Sequence, residues 1–191
     1  MIRRVLLIVA LVLAGMGVNV APAFAADFSV LIFSKTAGFR HDAIPAGITA
    51  IQQLGAQNNF AVEATEDAAQ FTDTNLARFK AVIWLSTTGD VLNASQQSAF
   101  QSYIASGKGY VGVHAAADTE YDWAWYGGLV GAYFQQHPPG TPQATVKVED
   151  PAHPSTAGLP ALSAARASTS TIWRSRRAKW PKKKGRTTFD T

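Results

Sequence analysis

The sequence lacks cysteine altogether, and this absence excludes several kinds of chemistry at once. Without thiols the fold cannot be cross-linked by disulfides, even in an oxidising compartment. A thiol nucleophile and a thiolate metal site are excluded for the same reason. Charged residues are also few, at 16% of the chain, whereas apolar residues make up 47%. This balance is typical of a globular core, and the 191 residues allow one domain with short appendages.

Basic residues are scarce in the body of the chain, although the formal net charge is +4. Between Asp27 and Pro160 there are six basic and twelve acidic residues, whereas residues 161–191 contain nine basic residues and a single acid, Asp190. The basic character therefore belongs to the tail, and we expect no nucleic-acid partner for the body. The tail has neither a helical nor a strand period. We expect it to be disordered, or aberrant through a shifted reading frame or a truncated gene.

The longest apolar run lies within the first 25 residues. Two arginines precede an apolar stretch from Val5 to Leu13, and residues 23–25 read Ala-Phe-Ala, which has the small-x-small form of a cleavage site. This order is that of a secretory signal peptide, and the apolar stretch is too short for a stable membrane span. We therefore predict that residues 1–25 are a signal peptide cleaved after Ala25. The mature protein would be secreted or periplasmic.

Apolar runs of strand length alternate with helical patterns in the body of the chain. The predicted strands are residues 28–34, 60–64, 80–86 and 109–114. Apolar residues recur at steps of three and four from Ile44 to Leu54, and Asn93 with Gln96 forms a capping box before a second long helix. This alternation predicts an α/β fold with a doubly wound, mostly parallel sheet, in a domain that spans residues 26–160.

The stretch from Gly109 to Asp118 contains the first candidate site, because a strand pattern ends there at His114 and three alanines follow it. Ligand sites in open α/β sheets lie just beyond the carboxyl ends of the strands. The loops that leave the first, third and fourth strands would therefore meet at one edge of the sheet. Their polar residues are His41, Asp42, Thr87, Thr88, Asp90, His114, Asp118 and Glu120. His114 by itself could equally be a histidine that is satisfied within the core.

Residues 120–136 are rich in aromatic residues and glycine. Amphipathic rings can stack on the apolar faces of sugars while neighbouring polar atoms bind hydroxyl groups. This chemistry predicts a set of substrate-binding residues, namely Thr87, Asp90, Glu120, Trp123, Trp125 and Tyr126. The alternative interpretation is a helix whose aromatic rings fill the core.

Four motifs follow one another between residues 28 and 159. They are Lys-Thr-Ala-Gly-Phe-Arg-His-Asp at 35–42, Gly-Val-His-Ala-Ala-Ala-Asp at 112–118, Tyr-Gly-Gly-Leu-Val-Gly-Ala-Tyr-Phe at 126–134 and Asp-Pro-Ala-His-Pro-Ser at 150–155. Together they resemble the ThuA-like family, which is named for trehalose utilisation. The resemblance implies a flavodoxin-like sheet similar to that of class I glutamine amidotransferases. It also implies a role in carbohydrate metabolism, in particular of keto-sugars.

The chain differs in two ways from the proteins that it resembles. Amidotransferases carry a nucleophilic cysteine at a tight turn after a central strand, and His114 stands at the corresponding place in this chain. Glutaminase chemistry is therefore excluded, because no cysteine exists to perform it. Members of the family continue beyond the His-Pro-Ser segment with more folded chain, where this sequence has its basic tail. We therefore expect a sheet that is truncated at its C-terminal edge.

Two functions are compatible with these observations. The first is a sugar-processing enzyme, an isomerase or lyase of a keto-sugar or disaccharide, with His114 and Asp118 as base and orienting residue and His41 opposite them. A divalent metal ion held by His41, His114 and His137 could polarise the carbonyl group in that reaction. The second function is a non-catalytic carbohydrate-binding or interaction module. Both have a small-molecule carbohydrate as partner, and the sequence indicates neither the exact reaction nor the oligomeric state.

Overall fold

A computed structural model describes residues 26–136, 140, 143–148, 150–160, 162–166 and 173–174. The predicted signal peptide, His137 and most of the basic tail lie outside these residues. Among the described residues, no helix is both long enough and apolar enough to cross a membrane.

The first part of the chain alternates strands and helices as predicted. Its strands are β1 (Phe28–Phe33), β2 (Phe60–Thr65), β3 (Ala81–Leu85), β4 (Thr88–Gly89), β5 (Gly109–Val113) and β6 (Asp118–Thr119). Its helices are α1 (Ile44–Gln57), α2 (Asp73–Leu76), α3 (Ala94–Ala105) and α4 (Ala124–Val130). Short 3₁₀ turns occupy Ala68–Gln70 and His114–Ala117. The later strands are β7 (Tyr133–Phe134), β8 (Gln143–Lys147), β9 (Leu162–Arg166) and β10 (Trp173–Arg174).

Four parallel strands form the main sheet in the order β2-β1-β3-β5. Helices pack on both of its faces. Trp84 of β3 packs against Phe100 of α3, whereas the next residue, Leu85, lies against Gly47 of α1 on the other face. The predicted α/β fold with a parallel, flavodoxin-like sheet is therefore confirmed, and the carboxyl ends of all four strands lie along one edge.

Local sequence signals explain where the helices begin. The side chain of Asn93 accepts a hydrogen bond from the Gln96 amide, and Gln96 bonds back to the Asn93 amide, so the predicted capping box starts α3. Thr72 caps α2 through the amide of Asn75. Helix α1 has a proline in its first turn, where the missing N–H has no intrahelical partner to lose.

The core lies mainly on the α3 side of the sheet and is unusually aromatic. Trp84 of β3 is fully buried at its centre and contacts a ring of other aromatic side chains. We call these residues the buried aromatic cluster, which consists of Trp84, Phe100, Tyr110, Trp123, Trp125 and Tyr126. Aromatic pairs at such edge-on and offset contacts add stability beyond the area that they bury.

The main sheet ends at a strand with an exposed residue, whereas the predicted tail contains two strands that are paired with others. Strand β5 is an outer strand of the described sheet, and its Val111 is 47% exposed. Strand β9 falls within the predicted tail, yet it pairs antiparallel with β8. Backbone pairing can form a strand without an alternating side-chain pattern, so no pattern of residues 162–166 predicts β9. Strand β10, also within that tail, pairs with β7.

Candidate functional site

The loop that leaves β1 is fastened to the residue that begins β4. The amide of Ala37 donates to the carbonyl oxygen of Thr88 at 2.7 Å, and the amide of Gly38 donates to the hydroxyl oxygen of Thr88 at 3.2 Å. That hydroxyl in turn donates to the carbonyl oxygen of Phe39 at 2.9 Å. Thr88, a buried residue, therefore holds three consecutive residues of the β1 loop in place.

The loop that leaves β5 joins the same arrangement through strand β6. Strands β4 and β6 pair in parallel, with Thr88 opposite Asp118 and Gly89 opposite Thr119. The three loops that the topology predicted to converge therefore meet at one place. We call the side chains that meet there the exposed histidine edge, which consists of the exposed Phe39, His114 and Tyr121 and the half-buried His41 and Asp118.

His41 and His114 lie in direct contact within this edge. Their ring centroids are 4.5 Å apart and the planes meet at 85°. His114 follows β5 immediately and has φ = +53°, a left-handed conformation that non-glycine residues rarely adopt. Such a turn costs about 1–3 kcal/mol, which the surrounding packing must offset. The strained turn places the exposed His114 ring at the carboxyl end of β5, against the ring of His41.

The electrostatic surroundings of His41 favour its neutral form. Burial lowers the pKa of His41, the neighbouring His114 lowers it further, and the carboxylates of Asp118 and Asp42 oppose this by raising it. The net effect is a pKa below the usual value of a histidine. The Nδ1 atom of His41 is buried and has no hydrogen-bond partner within the described part of the chain. His41 therefore has an unsatisfied ring nitrogen beside a second imidazole.

Asp118 is held by a tyrosine that the sequence analysis did not single out. The Tyr121 hydroxyl lies 2.6 Å from Oδ1 of Asp118 and 2.9 Å from the carbonyl oxygen of Phe134. Burial, followed by the hydrogen bond and charge of Asp118, raises the pKa of Tyr121, so the hydroxyl keeps its proton and donates. This contact fixes the orientation of a carboxylate that acts electrostatically on His41.

Two of the predicted substrate-binding residues lie inside the protein. The Glu120 carboxylate accepts hydrogen bonds from the amides of Val91 and Leu92 at 2.8 and 2.7 Å, and from the Gln97 side chain at 2.7 Å. Thr87 is also fully buried, and its hydroxyl lies 2.9 Å from that of Thr119. These contacts give Glu120 and Thr87 structural roles, in which they join the β3 loop to the segment after β5.

The predicted aromatic residues are buried to different extents. Tyr126 is fully buried, and its hydroxyl donates to the carbonyl oxygen of Ala116 at 2.6 Å. Trp123 and Trp125 are partly buried, stack on each other with centroids 4.9 Å apart, and both contact Phe100 of the core. The alternative in which a ring fills the core therefore holds for Tyr126, whereas sugar contact by Trp123 and Trp125 stays a prediction. Asp90, by contrast, is exposed at the end of the β3 loop, and sugar contact by it stays a prediction.

The residues proposed for a metal ion are brought together only in part. His41 and His114 are in contact, whereas His137 lies outside the described residues. Within the described ranges, no group of three or more histidine, aspartate or glutamate side chains is arranged to hold a metal ion. A metal site that uses His137 stays a prediction, and the chemistry below uses only the side chains of the edge.

The sequence analysis also missed Phe39, whose ring lies 4.9 Å from that of His41 at an angle of 84°. The motif at residues 35–42 was considered for its polar residues. A sequence in which phenylalanine stands beside arginine does not indicate whether the phenylalanine ring is exposed. Tyr121 was missed because it stands in a segment with five other aromatic residues, all of which are at least partly buried. Only the tertiary structure separates the exposed rings from the buried ones.

Comparison with known proteins gives consistent results. The model of a family named ThuA and described as trehalose utilisation matches residues 29–176. A ThuA-like protein from Bacteroides uniformis has a similar crystal structure, with a TM-score of 0.68 and 26% sequence identity over 82% of this chain. A ThuA-like protein from Parabacteroides merdae has a TM-score of 0.56 and 16% identity over 71% of this chain. The chain spans 65% and 59% of the lengths of these two proteins. No curated protein sequence matches.

Proposed function

The chain belongs to the ThuA family of trehalose utilisation, and from this premise we propose that it is an exported protein that acts on a keto-sugar or disaccharide. The reaction that the site supports best is an isomerisation or elimination that begins with removal of a proton from a carbon next to a carbonyl group. The observation that carries this proposal is the contact between His41 and His114 at the carboxyl edge of the sheet. The signal-peptide pattern of residues 1–25 supports export.

The two imidazoles can divide the work of proton transfer between them. Two imidazolium ions in contact repel each other, so the pair favours states with at least one neutral ring. We assign the role of base to His41, because its lowered pKa keeps the ring neutral and able to accept a proton at pH 7. His114 then stands where it can donate a hydrogen bond to the carbonyl oxygen, on which negative charge develops. This refines the sequence-based hypothesis, in which His114 was the base.

The proposed steps conserve protons and electrons. His41 removes the proton, and the electron pair of the C–H bond forms the enediol(ate) while the carbonyl oxygen takes up negative charge. His114 gives a proton to that oxygen and takes one from the adjacent hydroxyl group, and return of the proton from His41 to the former carbonyl carbon completes an isomerisation. Expulsion of a leaving group from the next carbon completes a lyase reaction instead. Asp118, held by Tyr121, favours the charged imidazolium that forms in the first step.

Exchange with solvent deuterium tests the proton-transfer step without knowledge of the product. The protein is incubated in D₂O with D-fructose and a panel of other ketoses and keto-disaccharides, and NMR follows the loss of the signal from the hydrogen next to the carbonyl. His41→Gln and His114→Gln should each slow the exchange by about 10²–10⁴-fold, the usual contribution of a general acid or base. Asp27→Asn serves as a control, because Asp27 is exposed and precedes β1 at the opposite end of the sheet. No exchange by the wild-type protein with any ketose would overturn the catalytic proposal.

A non-catalytic carbohydrate-binding module is the second candidate. The exposed Phe39 ring favours it, because sugar binding by an aromatic surface needs no base. The His114→Ala variant separates the two functions when sugar binding and turnover are measured independently. Retained binding with lost turnover supports the enzyme, whereas a wild-type protein that binds sugars without turnover supports the module.

A further inference from the structure

Phe39 is the most exposed of the large hydrophobic residues described, with 72% of its surface accessible to solvent. Its backbone is nevertheless held firmly, because the Thr88 hydroxyl donates to its carbonyl oxygen and the preceding two amides both donate to Thr88. The exposure of the ring is therefore a fixed feature of the fold and does not result from a loosely attached loop.

The Phe39 ring lies beside the two histidines of the proposed reaction. Phe39 meets His41 edge-on at 4.9 Å, and His41 meets His114 in the same manner at 4.5 Å. A flat body that lies on the face of Phe39 would therefore extend alongside the histidine pair. Sugar rings have such a flat apolar face, formed by their C–H groups, and they commonly stack on aromatic side chains.

The charges of the surrounding loop limit the kind of sugar that fits. The ammonium group of Lys35 donates to the carbonyl oxygen of Val91 at 3.1 Å, and the guanidinium group of Arg40 pairs with Glu66 at 2.6 Å. Both cations of this loop are thus engaged with protein groups. The carboxylate of Asp42, which forms no ion pair within the described ranges, and that of Asp118 stand near the histidine pair and would repel a phosphate group.

We propose that Phe39 is the stacking surface of this site and that the site selects an uncharged, unphosphorylated sugar ring. This inference rests on the proposed function only in taking carbohydrates as the ligands. It assigns Phe39 a binding role and no part in proton transfer. It makes Phe39 the principal ring that contacts the sugar, in preference to Trp123 and Trp125, which are partly buried against the core.

Saturation-transfer NMR on the wild-type full chain tests the proposal with defined probes. Trehalose and D-fructose supply neutral rings, D-mannitol supplies hydroxyl groups without a ring face, and trehalose 6-phosphate supplies the charged counterpart of trehalose. We expect transfer to the ring C–H protons of trehalose and D-fructose, and little transfer to mannitol or to the phosphorylated sugar. Phe39→Ala should weaken binding of the neutral rings about tenfold, whereas Phe39→Trp should retain it.

Phe28→Ala is a matched control, because Phe28 is a partly exposed aromatic residue at the opposite end of β1. Its removal should leave sugar binding unchanged. Equal binding by the wild-type and Phe39→Ala proteins would overturn the inference, as would the absence of sugar binding by the wild type or tighter binding of trehalose 6-phosphate. Deuterium exchange is measured separately on the same variants. Sugar binding that depends on Phe39 without exchange would reject the proposed reaction and leave this inference intact.

Discussion

The buried aromatic cluster packs against the segment that follows β5, the exposed histidine edge includes residues of that segment, and the two regions use similar side chains differently. In the cluster, the hydroxyl groups of Tyr110 and Tyr126 lie 2.8 Å apart. Burial raises the pKa of Tyr110 to about 12. At the edge, the Tyr121 hydroxyl holds a carboxylate, and the nearby Phe39 ring faces solvent. The comparison shows that burial decides whether an aromatic residue here supports the fold or is available to a ligand.

The largest effect should follow removal of the indole at the centre of the cluster. Trp84→Ala leaves a large cavity among packed rings, and we expect a loss of about 3–5 kcal/mol in the free energy of unfolding. Urea denaturation followed by circular dichroism measures this loss. Phe39→Ala, the matched removal of a ring at the edge, should change the unfolding free energy by less than about 0.5 kcal/mol. Similar losses for both variants would show that the two regions are not distinct.

The division between exposed edge and buried interior also separates the parts of the site that the sequence predicts from those that it does not. The contact between His41 and His114 was foreseeable, because parallel strands bring their exit loops to one edge of the sheet. The inward direction of the Glu120 side chain was not foreseeable. Glu120 itself has a left-handed backbone with φ = +55°, which turns the chain there, and glycine is the residue that indicates such a conformation in a sequence. Trp123 and Trp125 follow that turn, so their burial depends on it as well.

The second largest effect should come from Glu120, which joins the β3 loop to the segment after β5. Glu120→Ala leaves the buried amides of Val91 and Leu92 without their acceptor, and an unsatisfied buried group costs about 1–3 kcal/mol. We therefore expect a loss of about 3 kcal/mol by urea denaturation. Glu66→Ala removes a carboxylate from an exposed ion pair and should cost less than about 1 kcal/mol. A loss for Glu120→Ala no greater than that of the control would mean that Glu120 does not support the loop.

A smaller effect should distinguish two tyrosine hydroxyls. Tyr126→Phe removes a buried hydrogen bond to Ala116 and should lower the unfolding free energy by about 1 kcal/mol, with no change in the pH dependence of deuterium exchange. Tyr121→Phe should instead alter that pH dependence, because Asp118 loses its hydroxyl donor and its effect on His41 changes. Identical pH profiles for Tyr121→Phe and the wild type would argue against a positioning role for Tyr121.

The smallest effect concerns the pH dependence of stability at the histidine edge. Folding lowers the pKa of His41 through burial and the neighbouring His114, so the unfolded chain binds a proton more readily than the folded chain. The corresponding stability is present above the unfolded pKa of about 6.5 and is lost as the pH falls through the lower pKa of the folded state. The wild-type protein should therefore lose stability for this reason as the pH falls below about 7. His41→Gln, which cannot titrate, should lose less below that pH in urea denaturation. A parallel loss in both proteins would place the pH-sensitive group elsewhere, and His41 would then lack the environment that makes it a base at neutral pH.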